Sequence, residues 1–185
     1  MKTTWDYVDW SDLSKKDQRM MKRAKENIEK STCLKHPIGS VLVTIHNEVI
    51  DGWNGGPGRF TCKQKYGDCP RRKAKSGRKM EVCPSVHAER KGILKAAKAG
   101  FSTRGATLYC WCGIPCKDCV VEIIEARIKK IVCLDDDKFE KVQPTVYNFD
   151  LAALLLHSTE FYMEVVVVKV KEEDLNGNRK IARTR

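Results

Sequence analysis

Apolar residues recur along this chain in two rhythms, one helical and one of strands. Met20, Met21, Ala24 and Ile28 fall at helical spacing behind the start signal Ser14-x-x-Asp17 and predict an amphipathic helix over 14–31. Val41-Leu42-Val43-Thr44-Ile45 reads as a buried strand, His46-Asn47-Glu48 as a turn, and Val49 to Trp53 as the returning strand of a hairpin. A helix over 87–99 follows, stopped by Gly100. Ala106 to Cys110 is a short strand, and Cys116 to Arg127 is a helix with Val120, Ile123, Ile124 and Ile128 on its apolar side. Ile131 to Leu134 is a strand, Asp150 to His157 a short helix, and Met163 to Val170 the last strand. Strands alternating with helices imply an α/β layer fold around a mixed sheet, here of five strands, with no internal repeat and no second domain.

The rhythm fails over residues 54–86, which are rich in Gly, Cys, Lys and Arg. Thirty structureless residues in a compact domain usually mean function or a staple. The stretch 59–81 holds nine Lys or Arg against Asp68 and Glu81, so it alone carries +7 of the chain's net +11. Such a surface attracts phosphates, on a nucleotide or a polynucleotide, and Lys35, Arg59 and Arg71 are candidate phosphate contacts. The division expected is one domain over 1–170, with a Cys-rich basic insert at about 55–86, and a charged, disordered tail over 171–185. No apolar run reaches transmembrane length and the first residues lack a signal-peptide hydrophobic stretch, so a soluble, cytoplasmic protein without membrane contact is expected. Nine cysteines in such a chain read as metal ligands and free thiols, not as a disulfide framework. Trp5 and Trp10 belong to an N-terminal arm that packs against the body, and His36, His46 and His157 read as surface or loop residues.

The chemistry is concentrated in His87-Ala88-Glu89 and Pro115-Cys116-x-x-Cys119. His87, Cys116 and Cys119 offer zinc one imidazole and two thiolates, which leaves the fourth position open, as catalytic sites require. Zinc activates a water near neutral pH. Glu89 need not be a ligand and can carry protons between that water and a leaving amine. Each half of the motif alone is weak; together they match the H-x-E…P-C-x-x-C signature of zinc nucleobase deaminases. The competing reading, a closed structural site with Glu89 a bystander, lacks a fourth protein ligand. His87 and Glu89 do not share a helix face, so they converge only if the metal lies off the helix N-terminus. Cys116 and Cys119 share a face in the first turn of their own helix, whose positive end favours thiolates.

From about Lys30 to Val168 the chain resembles the cytidine and deoxycytidylate deaminase family, on the side of its dCMP-specific members. The resemblance is carried by Ser31-Thr32-Cys33-Leu34, by Gly39, by Gly52-Trp53-Asn54-Gly55-x-Pro57 and by Cys69-x-Arg71. It continues through Ser76-Gly77-x-x-x-Glu81-x-Cys83-x-Ser85-Val86-His87-Ala88-Glu89 to Pro115-Cys116-x-x-Cys119. It implies a three-layer α-β-α cytidine deaminase-like fold, one catalytic zinc, and hydrolysis of dCMP to dUMP and ammonia in pyrimidine nucleotide biosynthesis. It also implies a homo-oligomer, often a hexamer, with dCTP and dTTP as effectors. Asn54 matches the family asparagine that contacts the sugar, although Asn-Gly is also a turn dipeptide. Ala88 falls among the substrate-binding positions, and Tyr147 lies near one that can approach the nucleotide. The chain departs from the family pattern in four places: Trp53 stands for a tyrosine, Lys91 for an asparagine, Tyr109 to Pro115 is one residue longer, and Asp135 to Glu140 is rewritten.

Cys33, Cys62, Cys69 and Cys83 lack tight spacing, but the long loop needs a staple and a Cys₄ structural zinc is a good one. The resemblance adds that some phage-type members carry a second zinc with ligands at positions matching Cys33 and Cys62. Cys110, Cys112 and Cys133 read as core or near-site thiols, a metal role for Cys112 being the lesser reading. Two other functions fit the motif: deamination within a polynucleotide (tRNA adenosine or single-stranded DNA cytosine) and a catalytically inactive, zinc-stabilised nucleotide-binding module. Against the first, residues 61–82 offer only Tyr66 to stack on a base. Against the second, the ligand set and Glu89 are intact.

Overall fold

The computed structural model describes residues 4–75, 78–135, 149–158, 162–171 and 174. Tyr147, Asp136 to Glu140, Ser76-Gly77 and nearly all of the expected tail lie outside them. Six strands form one mixed sheet: β1 (Thr4–Asp9), β2 (Gly39–Val43), β3 (Val49–Trp53), β4 (Thr107–Cys110), β5 (Lys130–Leu134) and β6 (Glu164–Lys169), in the order β1-β6-β5-β4-β2-β3. β2 runs antiparallel to both β3 and β4, and β4, β5, β6 and β1 run parallel. Five helices accompany the sheet among the described residues: α1 (Lys15–Glu26), α2 (Cys62–Tyr66), α3 (Ala88–Ala99), α4 (Lys117–Glu125) and α5 (Phe149–His157).

The period-two alternation along the strands builds two cores. Leu108, Cys110, Ile131, Cys133, Val165 and Val167 face Ala96 of α3, Val120 and Ile123 of α4, and Ala152 and Leu156 of α5. Tyr109, Val132, Val166 and Val168 face the other way, onto Met20, Met21 and Ala24 of α1. With α1 on one face and α3, α4 and α5 on the other, the molecule is a three-layer α-β-α sandwich whose central strands are buried on both sides.

The sheet has six strands where the sequence pattern gave five. The extra one, β1, pairs with the outer edge of β6 over the full register from Thr4↔Glu164 to Asp9↔Lys169. Its sequence, TWDYVD, hides the strand behind two aspartates, a residue depleted in strands. Trp5 joins the core beside α5 and stacks on His157 at 5.4 Å, while Trp10 packs edge-on to Trp111 at 6.1 Å. The expected strand 41–45 shifts to Gly39–Val43, because Thr44 and Glu48 close the turn between them and leave Ile45 60 % exposed. Residues 54–86 are not wholly irregular: they contain α2, capped by Thr61, and a 3-10 turn at Met80–Val82. No described helix is long and apolar enough to cross a membrane.

Candidate metal centre

His87 caps the N-terminus of α3 and Cys116 that of α4, both with extended backbone, and Cys119 lies in the first turn of α4. His87 Nδ1 stands 3.3 Å from Cys119 Sγ and 3.5 Å from Cys116 Sγ, and the three donor atoms lie within 4.8 Å of one another. Zinc bonds of about 2.3 Å to sulfur and 2.0–2.1 Å to nitrogen put tetrahedral donors roughly 3.5 Å apart, so imidazole and thiolates are set at ligand spacing. The donor set fits zinc chemically and, among the described residues, leaves one coordination position without a protein ligand. Two helix N-termini converge here, and their positive ends favour the thiolates.

Local contacts bring these helix ends together. The carbonyl of Ala88 accepts a 2.9 Å hydrogen bond from Ser40 Oγ on β2. Gly52 of β3 lies against that contact, and a Cβ there would stand 2.4 Å from the Ala88 oxygen and 2.3 Å from Ser40 Oγ. Gly55, at φ +149° and packed against Thr32, exchanges two backbone hydrogen bonds with Val86 and so fixes the chain just before His87. Arg90 Nε reaches both oxygens of Glu122 at 2.8 and 2.9 Å and ties α3 to α4.

The protonation pattern follows from this packing. The Cys116 thiol is lowered, first by the hydrogen bond with Cys119 and then by the one with His87. Cys119 is raised in turn by that hydrogen bond and by burial. His87 is pushed up to about 9, chiefly by its hydrogen bond with Cys116. Glu89, 4 % exposed, is raised by burial. Its carboxylate does not group with the three donors. It groups instead with Cys110 and Cys112, whose sulfurs and the carboxylate oxygen lie within 4.8 Å of one another. A carboxyl beside the metal position but outside the ligand cluster, with a raised pKa, is placed to pass protons.

Asn54 is buried, and its side chain is already engaged. Its oxygen accepts from Ser31 Oγ at 2.6 Å and from Ile38 N at 2.9 Å, and its amide nitrogen donates to His36 O at 2.7 Å. Lys35 and Arg71 also turn inward. Lys35 Nζ donates to the carbonyls of Arg71 (2.9 Å) and Ala74, and Arg71 Nε donates to Arg78 O at 2.8 Å. Arg72 reaches Leu34 O at 2.9 Å while pairing with Asp68. These cations close the basic loop onto the segment around Cys33; Arg59 is exposed. Cys33, Cys62, Cys69 and Cys83 are gathered within electrostatic reach: burial raises the Cys62 thiol, and Cys69, Cys83 and Cys33 add to it. Among the described residues, their sulfurs are not drawn to the close spacing seen at His87.

Trp53 and Lys91, separate departures from the family pattern along the chain, are joined by the fold. Lys95, Lys91 and Lys30 stand 3.5, 5.4 and 5.6 Å from the centroid of the Trp53 ring. The spacing of Lys91 and Lys95 by one helical turn was the available signal.

Residues 14–135 match the family described as the cytidine and deoxycytidylate deaminase zinc-binding region. The chain belongs to this family. Deoxycytidylate deaminase of Schizosaccharomyces pombe is 34 % identical over 120 residues, 63 % of this chain and 36 % of that protein. Its Saccharomyces cerevisiae counterpart is 32 % identical over 131 residues, 67 % of this chain and 40 % of that protein. The chain thus spans about two-fifths or less of the length of these deaminases. Among solved structures, the dCMP deaminase of cyanophage S-TIM5, crystallised with dCMP and dUMP, superposes with a TM-score of 0.59. It is 23 % identical, and the match covers 84 % of this chain and 98 % of that one. That likeness establishes the cytidine deaminase-like fold, and the matched region contains the whole His87, Cys116 and Cys119 cluster of this family member.

Proposed function

We propose that this protein is a zinc-dependent deoxycytidylate deaminase that hydrolyses dCMP to dUMP and ammonia. One observation carries the reading: three zinc donors at ligand spacing with a buried carboxyl beside them that is not one of them. His87, Cys116 and Cys119 would hold the metal, which when bound would make water nucleophilic near neutral pH. Glu89 would take a proton from the attacking water and deliver it to the ring nitrogen of cytosine, then carry the proton of the newly added hydroxyl to the amine, which leaves as ammonia. Burial supports this role, because a carboxyl whose pKa is raised is a better acceptor for the water's proton. Ala88, at the start of α3, presents its backbone N–H to the base. The N–H of the Asn54 amide not engaged with His36 meets the sugar.

The same reading includes a single deaminase domain over 1–170 and a second, structural zinc held by Cys33, Cys62, Cys69 and Cys83. The mutual influence of the four thiols supports that site, since a metal would draw them together. A cytoplasmic homo-oligomer, with dCTP and dTTP as effectors, completes the proposal on family resemblance. Polynucleotide deamination has less support, because Lys35, Arg71 and Arg72 are occupied by carbonyls of the basic loop and of Leu34.

Ammonia release by zinc-loaded protein, with dCMP, dCTP, cytidine and a cytosine-containing single strand side by side, tests the substrate class. Turnover of dCMP above the other three is expected. Turnover of the strand alone would replace this reading with the polynucleotide one.

A further inference from the structure

Glu89, Cys110 and Cys112 form a second donor cluster. Each offers one ligand atom, and the three atoms lie within 4.8 Å of one another. They come from separate elements that the fold holds still. Glu89 lies in the first turn of α3, and Cys110 is the last residue of β4, paired with Cys133 of β5. Cys112 follows, its carbonyl accepting from Leu134 N at 2.8 Å, while Trp111 N between them donates to Gly39 O at 3.0 Å. Cys110 is fully buried and Cys112 half-buried, so the cluster has a drier and a wetter side. Two thiolates and a carboxylate on fixed backbone suit a soft to borderline divalent cation, zinc above all.

We propose that Glu89, Cys110 and Cys112 bind an additional zinc ion, and that this ion stops turnover by occupying the proton-carrying carboxylate. On binding, both sulfurs become thiolates and two thiol protons leave to solvent; no electrons move. Charge does not forbid a second ion so near. Zinc with two thiolates and a neutral imidazole is neutral at the His87 site, and zinc with two thiolates and a carboxylate carries −1 at the new one. The inhibition rests on Glu89 being the proton carrier; the binding does not.

The test begins with the full chain dialysed against a weak chelator, so that only tightly held zinc remains, and counted by elemental analysis. Zinc is then raised stepwise while bound metal, released protons and dCMP turnover are followed. Wild type is expected to take one further ion, release two protons, and lose activity on the order of 10²-fold, within the share that general acid–base transfer supplies, all reversed by the chelator. Cys112→Ser and Cys110→Ala are each expected to take up no further ion and to show no zinc-induced loss relative to their own starting activity. Uptake and inhibition unchanged in both variants would overturn the proposal, as would a wild type that binds no further ion or binds it without losing activity. If the protein does not turn over dCMP at all, metal count and proton release still decide the binding, so failure of the site and failure of the substrate assignment are separable.

Discussion

At the scale of single residues, two neighbouring positions of β3 act through space and charge. Gly52 leaves no room for a side chain between β3 and the first turn of α3. Gly52→Ala pushes on the Ala88 carbonyl and the Ser40 hydroxyl together, and a loss of about 1–3 kcal/mol is expected from such overpacking, read by urea denaturation. Asp51 anchors α1 to β3. Burial works against its ionisation, but hydrogen bonds from Arg23, Asn27 and Lys30 outweigh this and hold the carboxyl well below the usual range. A carboxyl depressed on folding stabilises above its unfolded pKa, about 3.9, and loses that contribution as pH falls toward its folded value. Asp51→Asn is therefore expected to cost about 1–2 kcal/mol near pH 7, discounted for the half-exposed Arg23 and Lys30. The gap from wild type should begin to narrow below about pH 4 and shrink further as pH falls. A gap independent of pH would show that the charge is not what Asp51 contributes.

At the scale of elements, the ligands were legible because each lies at a helix start with its own signature, H-x-E or P-C-x-x-C. What was not legible is how the elements face one another. Cys110 and Cys112 meet Glu89 only because β4 ends beneath the first turn of α3, a tertiary fact with no local spacing rule. The same holds for Trp53, which three lysines from two parts of the chain approach. The basic loop read as a phosphate-attracting surface, yet its fixed cations bond to carbonyls of the loop and of Leu34. A staple by zinc at Cys33, Cys62, Cys69 and Cys83 gives a direct prediction. Cys69→Ser should lower tightly bound zinc by one equivalent and open residues 55–86 to limited proteolysis, while the His87 site stays loaded. Unchanged zinc content in this variant would remove the staple.

At the scale of the whole molecule, the family resemblance supplied the three layers, and the alternation of helix and strand periods was enough to give a layered α/β fold around a mixed sheet. It missed β1, because Asp6 and Asp9 break the strand composition and the pairing partner, β6, lies about 160 residues away along the chain. The layers position the chemistry: α3 and α4 lie on one face of the sheet, with their N-termini at the end where β4 finishes. That arrangement gathers His87, Cys116 and Cys119 into one donor cluster and Glu89 and Cys110, with Cys112, into another. Separation of metal holding from proton carrying follows from these two clusters. Glu89→Gln tests it most directly, with bound zinc and ammonia release from dCMP measured on the same preparation. Zinc content equal to wild type and turnover reduced on the order of 10²-fold or more are expected. A variant that keeps its activity, or one that loses its zinc along with it, would contradict the division of labour assigned to Glu89.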